Sequence, residues 1–275
     1  MFLRRLLHPL VILACAASAA HAQQGLSLTG NESFGSAVKS GGAMLGIFYD
    51  LKQNQKRQPV PMAEPTRVMA QFLDSGWDED VLSGYFRATR PLYATEVMIP
   101  VIDAKTAPEA FGLAGVVQPS RWFVIYKAQV SPPEDGTYRF VGIADDVLAV
   151  AVDGKTELVS NYTNWPNLSR WKESSPAENI RCWAGEMKRG DWFTCRKTDI
   201  IDLDILIGEI PGGRFGASLF IEKKGQTYPM VQVPRFGPTP ALPVFQLKKK
   251  EIQKSEETEK NLPYTLLHVP WTCHP

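Results

Sequence analysis

The stretch Trp122-Phe123-Val124-Ile125-Tyr126-Lys127-Ala128-Gln129-Val130, followed by Ser131-Pro132-Pro133-Glu134-Asp135-Gly136 and then Thr137-Tyr138-Arg139-Phe140-Val141-Gly142-Ile143, decides the fold. Trp122, Val124, Tyr126, Ala128 and Val130 repeat with a period of two, the spacing that puts side chains on one face of an extended strand. Two prolines and a glycine then force a turn, and Tyr138 and Phe140 resume the alternation. Leu148, Val150 and Val152 carry it to Asp153-Gly154, a dipeptide that suits a tight hairpin. The spacing predicts adjacent antiparallel strands.

Outward from this centre the pattern repeats. Strands are expected over 202–209, 215–222 and 228–233, separated by Pro211-Gly212-Gly213 and Lys224-Gly225. A short helix is expected after Thr66 as its N-cap, with Val68, Met69, Phe72 and Leu73 as its apolar stripe and Gly76 as its stop; a weaker one lies near 107–113. The alternation lapses between Ser160 and Cys195, where Tyr162, Trp165, Trp171, Trp183 and Trp192 define a long aromatic loop. The fold class is therefore all-β, a sandwich or barrel with one or two short helices.

The chain has 275 residues with 30 basic and 29 acidic side chains, so no global field attracts a nucleic-acid backbone. Arg4 and Arg5, the apolar run 6–14 and Ala20-His21-Ala22 read as an export signal over residues 1–22, with a competing lipid anchor at Cys15. The expectation is an exported, bacterial, periplasmic, cell-surface or extracellular protein without a membrane-spanning helix. A flexible leader is expected over 23–43, a β-domain over 44–236, and a charged linker with an apolar tail over 237–275, anchored by Trp271. Of Cys182, Cys195 and Cys273, the first two would close a 14-residue loop (195 − 182 + 1). Such a disulfide stabilises by about 3 kcal/mol in the chain-entropy model, although three cysteines allow three pairs. The histidines beyond the signal, His268 and His274, lie in the last eight residues, which argues against a Ser-His-Asp or Cys-His device in the core.

Residues 130–155, with their Pro-rich turn, Gly136-x-Tyr138-x-Phe140, Asp145-Asp146 and Asp153-Gly154-Lys155, resemble the PA14 domain family. Leu45-Gly46-Ile47-Phe48-Tyr49 is similar to that family's opening strand, and 205–219 to its closing Gly-rich hairpin. The resemblance implies a non-catalytic β-barrel or β-sandwich module that binds carbohydrate or mediates cell-surface interaction. It also implies Asp145 and Asp146 as calcium ligands, with no other cofactor required. Two carboxylates supply only part of the six to eight oxygens that Ca²⁺ takes, and the later-loop ligands are not evident from the sequence. Trp165 and Trp171, among Asn161, Asn164, Asn167 and Ser169, suit stacking on sugar rings with polar groups nearby, and Asn164 joins them in the expected ligand site. The alternative is a structural or assembly protein that docks an envelope protein partner without metal.

Overall fold

The computed structural model describes residues 30–61, 64–161, 166–182, 185–249, 263–265 and 269–275. Eighteen strands are defined among them. The first eight are β1 Met44–Asp50, β2 Phe86–Arg87, β3 Leu92–Ala94, β4 Met98–Asp103, β5 Trp122–Ser131, β6 Gly136–Asp145, β7 Val147–Val152 and β8 Lys155–Asn161. There follow β9 Ile180–Cys182, β10 Gly185–Arg189, β11 Phe193–Cys195, β12 Ile201–Glu209 and β13 Arg214–Lys223. The last are β14 Met230–Val233, β15 Gly237–Pro240, β16 Leu242–Pro243, β17 Tyr264–Thr265 and β18 Thr272–His274. Two helices, α1 Pro65–Asp74 and α2 Thr106–Ala110, complete the regular structure with three short 3₁₀ turns.

The strands form two principal sheets that are not closed into a barrel. One runs β2-β1-β5-β12-β7-β8, with β3 on β1 and β18 on β5. The other runs β4-β13-β6-β10-β9, with β11 also on β6. Trp122, Val124, Tyr126 and Val130 of β5, Leu203, Ile205 and Ile207 of β12 and Phe140 of β6 bury their side chains in one core, as alternation requires. Phe123, Ile125 and Leu206 point to the opposite face of the first sheet, where α1 covers them with Val68, Met69, Phe72 and Leu73. This sheet is covered on both faces, which explains why β7 is apolar at every position.

Several expectations are corrected. Strands β5, β6 and β7 are consecutive but are not adjacent partners: β5 pairs β1, β12 and β18, whereas β6 pairs β13, β10 and β11. The Pro132-Pro133 turn and the Asp145-Asp146 junction each carry the chain from one sheet to the other. The link from β12 to β13 crosses in the same way. Period-two alternation specifies a buried face, and either sheet supplies one. Along the run from β5 to β8, Asp153-Gly154, with φ values of 50° and 75°, closes the one hairpin, joining β7 to β8.

Helix α1 starts at Pro65 after Glu64, so Thr66 lies inside it, buried and without a hydrogen-bond partner for its hydroxyl, and is not the cap. Upstream of Met44, Phe34 is fully buried against Trp122 and Phe215. The expected Cys182–Cys195 disulfide is absent. Cys195 pairs opposite Gly136, at the start of β6, whereas β10 meets the far end of β6 through Lys188 opposite Gly142, and Cys182 pairs with Gly185 beyond it. At about 3.3 Å per residue the two thiols lie on the order of 30 Å apart along the sheet, far beyond disulfide reach.

Downstream, Trp271 is 1% exposed and packs its indole on Tyr138, Phe245 and Phe193, the anchoring expected of it. Among the described residues no helix is long and apolar enough to cross a membrane.

Candidate functional site

Glu209 closes β12 and pairs opposite Trp122 of β5, while its neighbour Gly208 pairs opposite Val147 at the start of β7. The junction of β6 and β7 is therefore brought to the same end of the sandwich as the loop 210–213 that links β12 to β13. Asp145, Asp146 and Glu209 meet there. The peptide bond between Asp145 and Asp146 is cis. Asp146 is 3% exposed and Glu209 1%, so the cluster is set into the rim.

The loop closes around them through its backbone. Asp146 Oδ2 accepts the Ile210 N–H at 2.8 Å, and Glu209 Oε1 accepts the Gly212 N–H at 2.7 Å. Gly212 and Gly213 hold φ values of 95° and 112°, which side chains other than glycine's disfavour, so the Gly-Gly pair is what lets the loop turn its N–H groups inward.

Burial dominates the electrostatics. It raises Glu209 to about 9, with the Asp146 charge adding to the effect and the Gly212 N–H opposing it. Burial and the neighbouring Asp146 raise Asp145 to about 6. Burial also raises Asp146, opposed by hydrogen bonds with the Ile210 N–H, Glu209 and Asp145. It accepts from the loop backbone, through the Ile210 N–H, and sits between the other two carboxyl groups. Glu209 Oε2 faces no donor group of the protein. A proton shared with Asp146 satisfies it, as would a cation in the proton's place.

The donors are all hard oxygens, the class calcium takes. Among the described residues, however, no set of three or more His, Cys, Asp and Glu side chains is gathered as a metal centre. The cluster as it stands is three carboxyl groups whose proton affinities burial raises.

Trp171 does not reach this site. Its indole N–H donates to Asp191 at 3.2 Å, and the Asp191 N–H in turn bonds the carbonyl of Glu157, midway along β8. Its ring packs with the cluster beneath α1. The end of β8 that borders the carboxyl cluster is Asn161, opposite Val147. Asn164 and Trp165 lie outside the described residues.

Two features escaped the sequence reading. Glu209 is the third carboxyl; its signal was an acidic residue closing an apolar strand just before Pro211-Gly212-Gly213. The other is the tail, where β18 brings His274 Nε2 to 2.8 Å from Ser131 Oγ, so counting histidines by position did not exclude such a pair. Ser131 Oγ donates to the Asp199 carbonyl at 2.6 Å, which leaves His274 to donate to the serine. A serine whose proton is committed elsewhere is not activated as a nucleophile by that histidine.

These features define an antiparallel β-sandwich with a carboxyl-lined rim. No family model and no curated protein matches the chain. Solved structures similar to it include a PA14 sugar-binding domain from an RTX adhesin, 13% identical over 68% of this chain and 93% of that one, with a TM-score of 0.33. A PA14 domain of the antifreeze protein MpAFP is 12% identical over 68% of this chain and 86% of that one, TM-score 0.32. The epithelial adhesin 9 A domain from Candida glabrata, solved with Galb1-4GlcNAc, is 11% identical over 65% and 81%, TM-score 0.37.

Proposed function

We propose that this chain is an exported, non-catalytic module that binds carbohydrate at a cell surface, with Asp145, Asp146 and Glu209 as the centre of its ligand site. The observation that carries the reading is the convergence of these three buried carboxyl groups, from two separate sheet crossings, on one rim. Such a cluster costs stability unless protons or a cation offset its charge. Calcium at this rim would draw only part of its oxygen shell from these carboxyl groups and would present the rest of it to ligand hydroxyl oxygens. The protein's own part is to fix the carboxyl oxygens: the Ile210 and Gly212 N–H groups orient Asp146 and Glu209, and the rim keeps water away from both.

The test is thermal unfolding with calcium and with excess chelator, on the natural chain, Asp146→Ala and Glu209→Gln. Calcium at about 100 times its dissociation constant is expected to stabilise the natural chain by about 2.7 kcal/mol and neither variant. Glycan-array binding abolished by chelator completes the expected result. Absence of a calcium shift, joined to chelator-insensitive capture of an envelope protein, would replace this reading with metal-free assembly.

A further inference from the structure

At the opposite end of β7 and β8, about 17 Å from the carboxyl rim by strand length, lies an open cavity of about 560 Å³. Asp153, Lys155, Glu157, Phe193, Asp199 and Ile200 are among its walls. Glu157 is the unusual member. It is 3% exposed; its Oε1 is held by Lys155 Nζ at 2.8 Å, and its Oε2 is buried without a hydrogen-bond partner. A half-satisfied buried carboxylate is costly and is seldom kept without a reason.

Lys155 is a weak fixture. Its side chain is 69% exposed, so only its ammonium end is held, and releasing it into water costs little. Phe193 forms a firmer wall, because its ring stacks on Phe140 with centroids 5.4 Å apart and planes at 21°. Asp153 and Asp199 each use one oxygen on a backbone N–H, of Asp202 and Arg196 respectively, and keep acceptor capacity on the second. The cavity thus combines a buried anion, a rigid aromatic wall and hydroxyl acceptors, in a volume that suits one or two sugar rings.

We infer that this cavity is a second ligand site, distinct from the Asp145-Asp146 rim, that takes an amino sugar with a free primary amine: the ligand's ammonium replaces that of Lys155 on Glu157, and its ring lies against Phe193. Exchanging one ammonium for another leaves the charge balance unchanged. The ligand gains the second Glu157 oxygen and the aromatic wall. Burial first, and the Asp191 charge after it, raise the proton affinity of this carboxyl group, and the Lys155 ammonium opposes them.

Calorimetric titration of the full chain with glucosamine, glucose, N-acetylglucosamine and butylamine tests this. Glucosamine is expected to bind about tenfold or more tighter than the other three, a charge-assisted hydrogen bond and a stacked ring each being required. Glu157→Gln, which keeps the shape, is expected to abolish that preference, and Lys155→Ala, which removes the competitor, to strengthen glucosamine binding several-fold. Asp146→Ala is expected to leave glucosamine binding unchanged, which separates this site from the rim. Equal binding of the three sugars, butylamine as tight as glucosamine, an unaffected Glu157→Gln variant, or no glucosamine binding by either the natural chain or Lys155→Ala would each overturn the proposal.

Discussion

Glu209 carries the clearest pH signature of any single residue. Its proton affinity in the folded chain is raised, by burial first and by Asp146 second, from the ordinary 4.5 to about 9. A raised carboxyl binds more protons folded than unfolded, so its stabilising contribution is complete below about pH 4.5 and is lost as pH rises through about 9. In chelator, the melting temperature is therefore expected to fall between pH 5 and pH 9. Glu209→Gln, neutral throughout, is expected to flatten that slope, and calcium to flatten it in the natural chain by taking the proton's place. A slope unchanged by the substitution would assign the pH response to other groups. The two aspartates were legible because they are neighbours within a recognisable run of residues. Glu209 was not, because only the pairing of β12 with both β5 and β7 brings it to them, and pairing is a long-range property that local periodicity does not encode.

At the scale of elements, the existence of the long strands β5, β6, β7, β12 and β13 was readable and their partnership was not, while the short strands β2 to β4, and β9 to β11 inside the expected aromatic loop, went unread. The alternation from Trp122 to Val130 identified a face that is buried as expected, yet the same alternation is consistent with a hairpin or with a crossover between sheets. The positive φ values at Asp153 and Gly154 mark the turn where the hairpin expectation held. The apolar tail was also readable as something to be buried, through Trp271. Its strand β18 extends the edge of β5 beyond the reach of β1, pairing at Gln129, Val130 and Ser131. Trp271→Ala removes a fully buried indole from the aromatic cluster of Tyr138, Phe193 and Phe245 and is expected to destabilise by about 3 to 5 kcal/mol in chemical denaturation. Phe236→Ala, on the exposed bend between β14 and β15, is expected to cost well under 1 kcal/mol, and comparable losses would mean that the tail is not part of the core.

Among the described residues, apolar burial holds the sheets together, with no bridge between Cys182 and Cys195. Two sheets share one core from Phe34 to Trp271, and a second cluster under α1 covers the outer face of the larger sheet. The expected 182–195 bridge rested on loop arithmetic, which counts residues but does not know that β11 pairs with the start of β6 while β9 is reached through β10, which pairs toward the far end of β6. Cys195 is buried, and burial with the charges of Asp199 and Asp135 pushes its thiol up to about 12, so little thiolate is present at neutral pH. Stability of the natural chain is accordingly expected to be the same with and without reductant, and Cys195 to resist alkylation until the chain unfolds. A bridge closing the 14-residue loop would instead add about 3 kcal/mol, and a melting temperature that falls by several degrees in reductant would reveal it. Because the strands that carry the two cysteines sit at opposite ends of the second sheet, such a fall would require a different strand register along β6, and with it a different placement of the Asp145-Asp146 junction at which that strand ends.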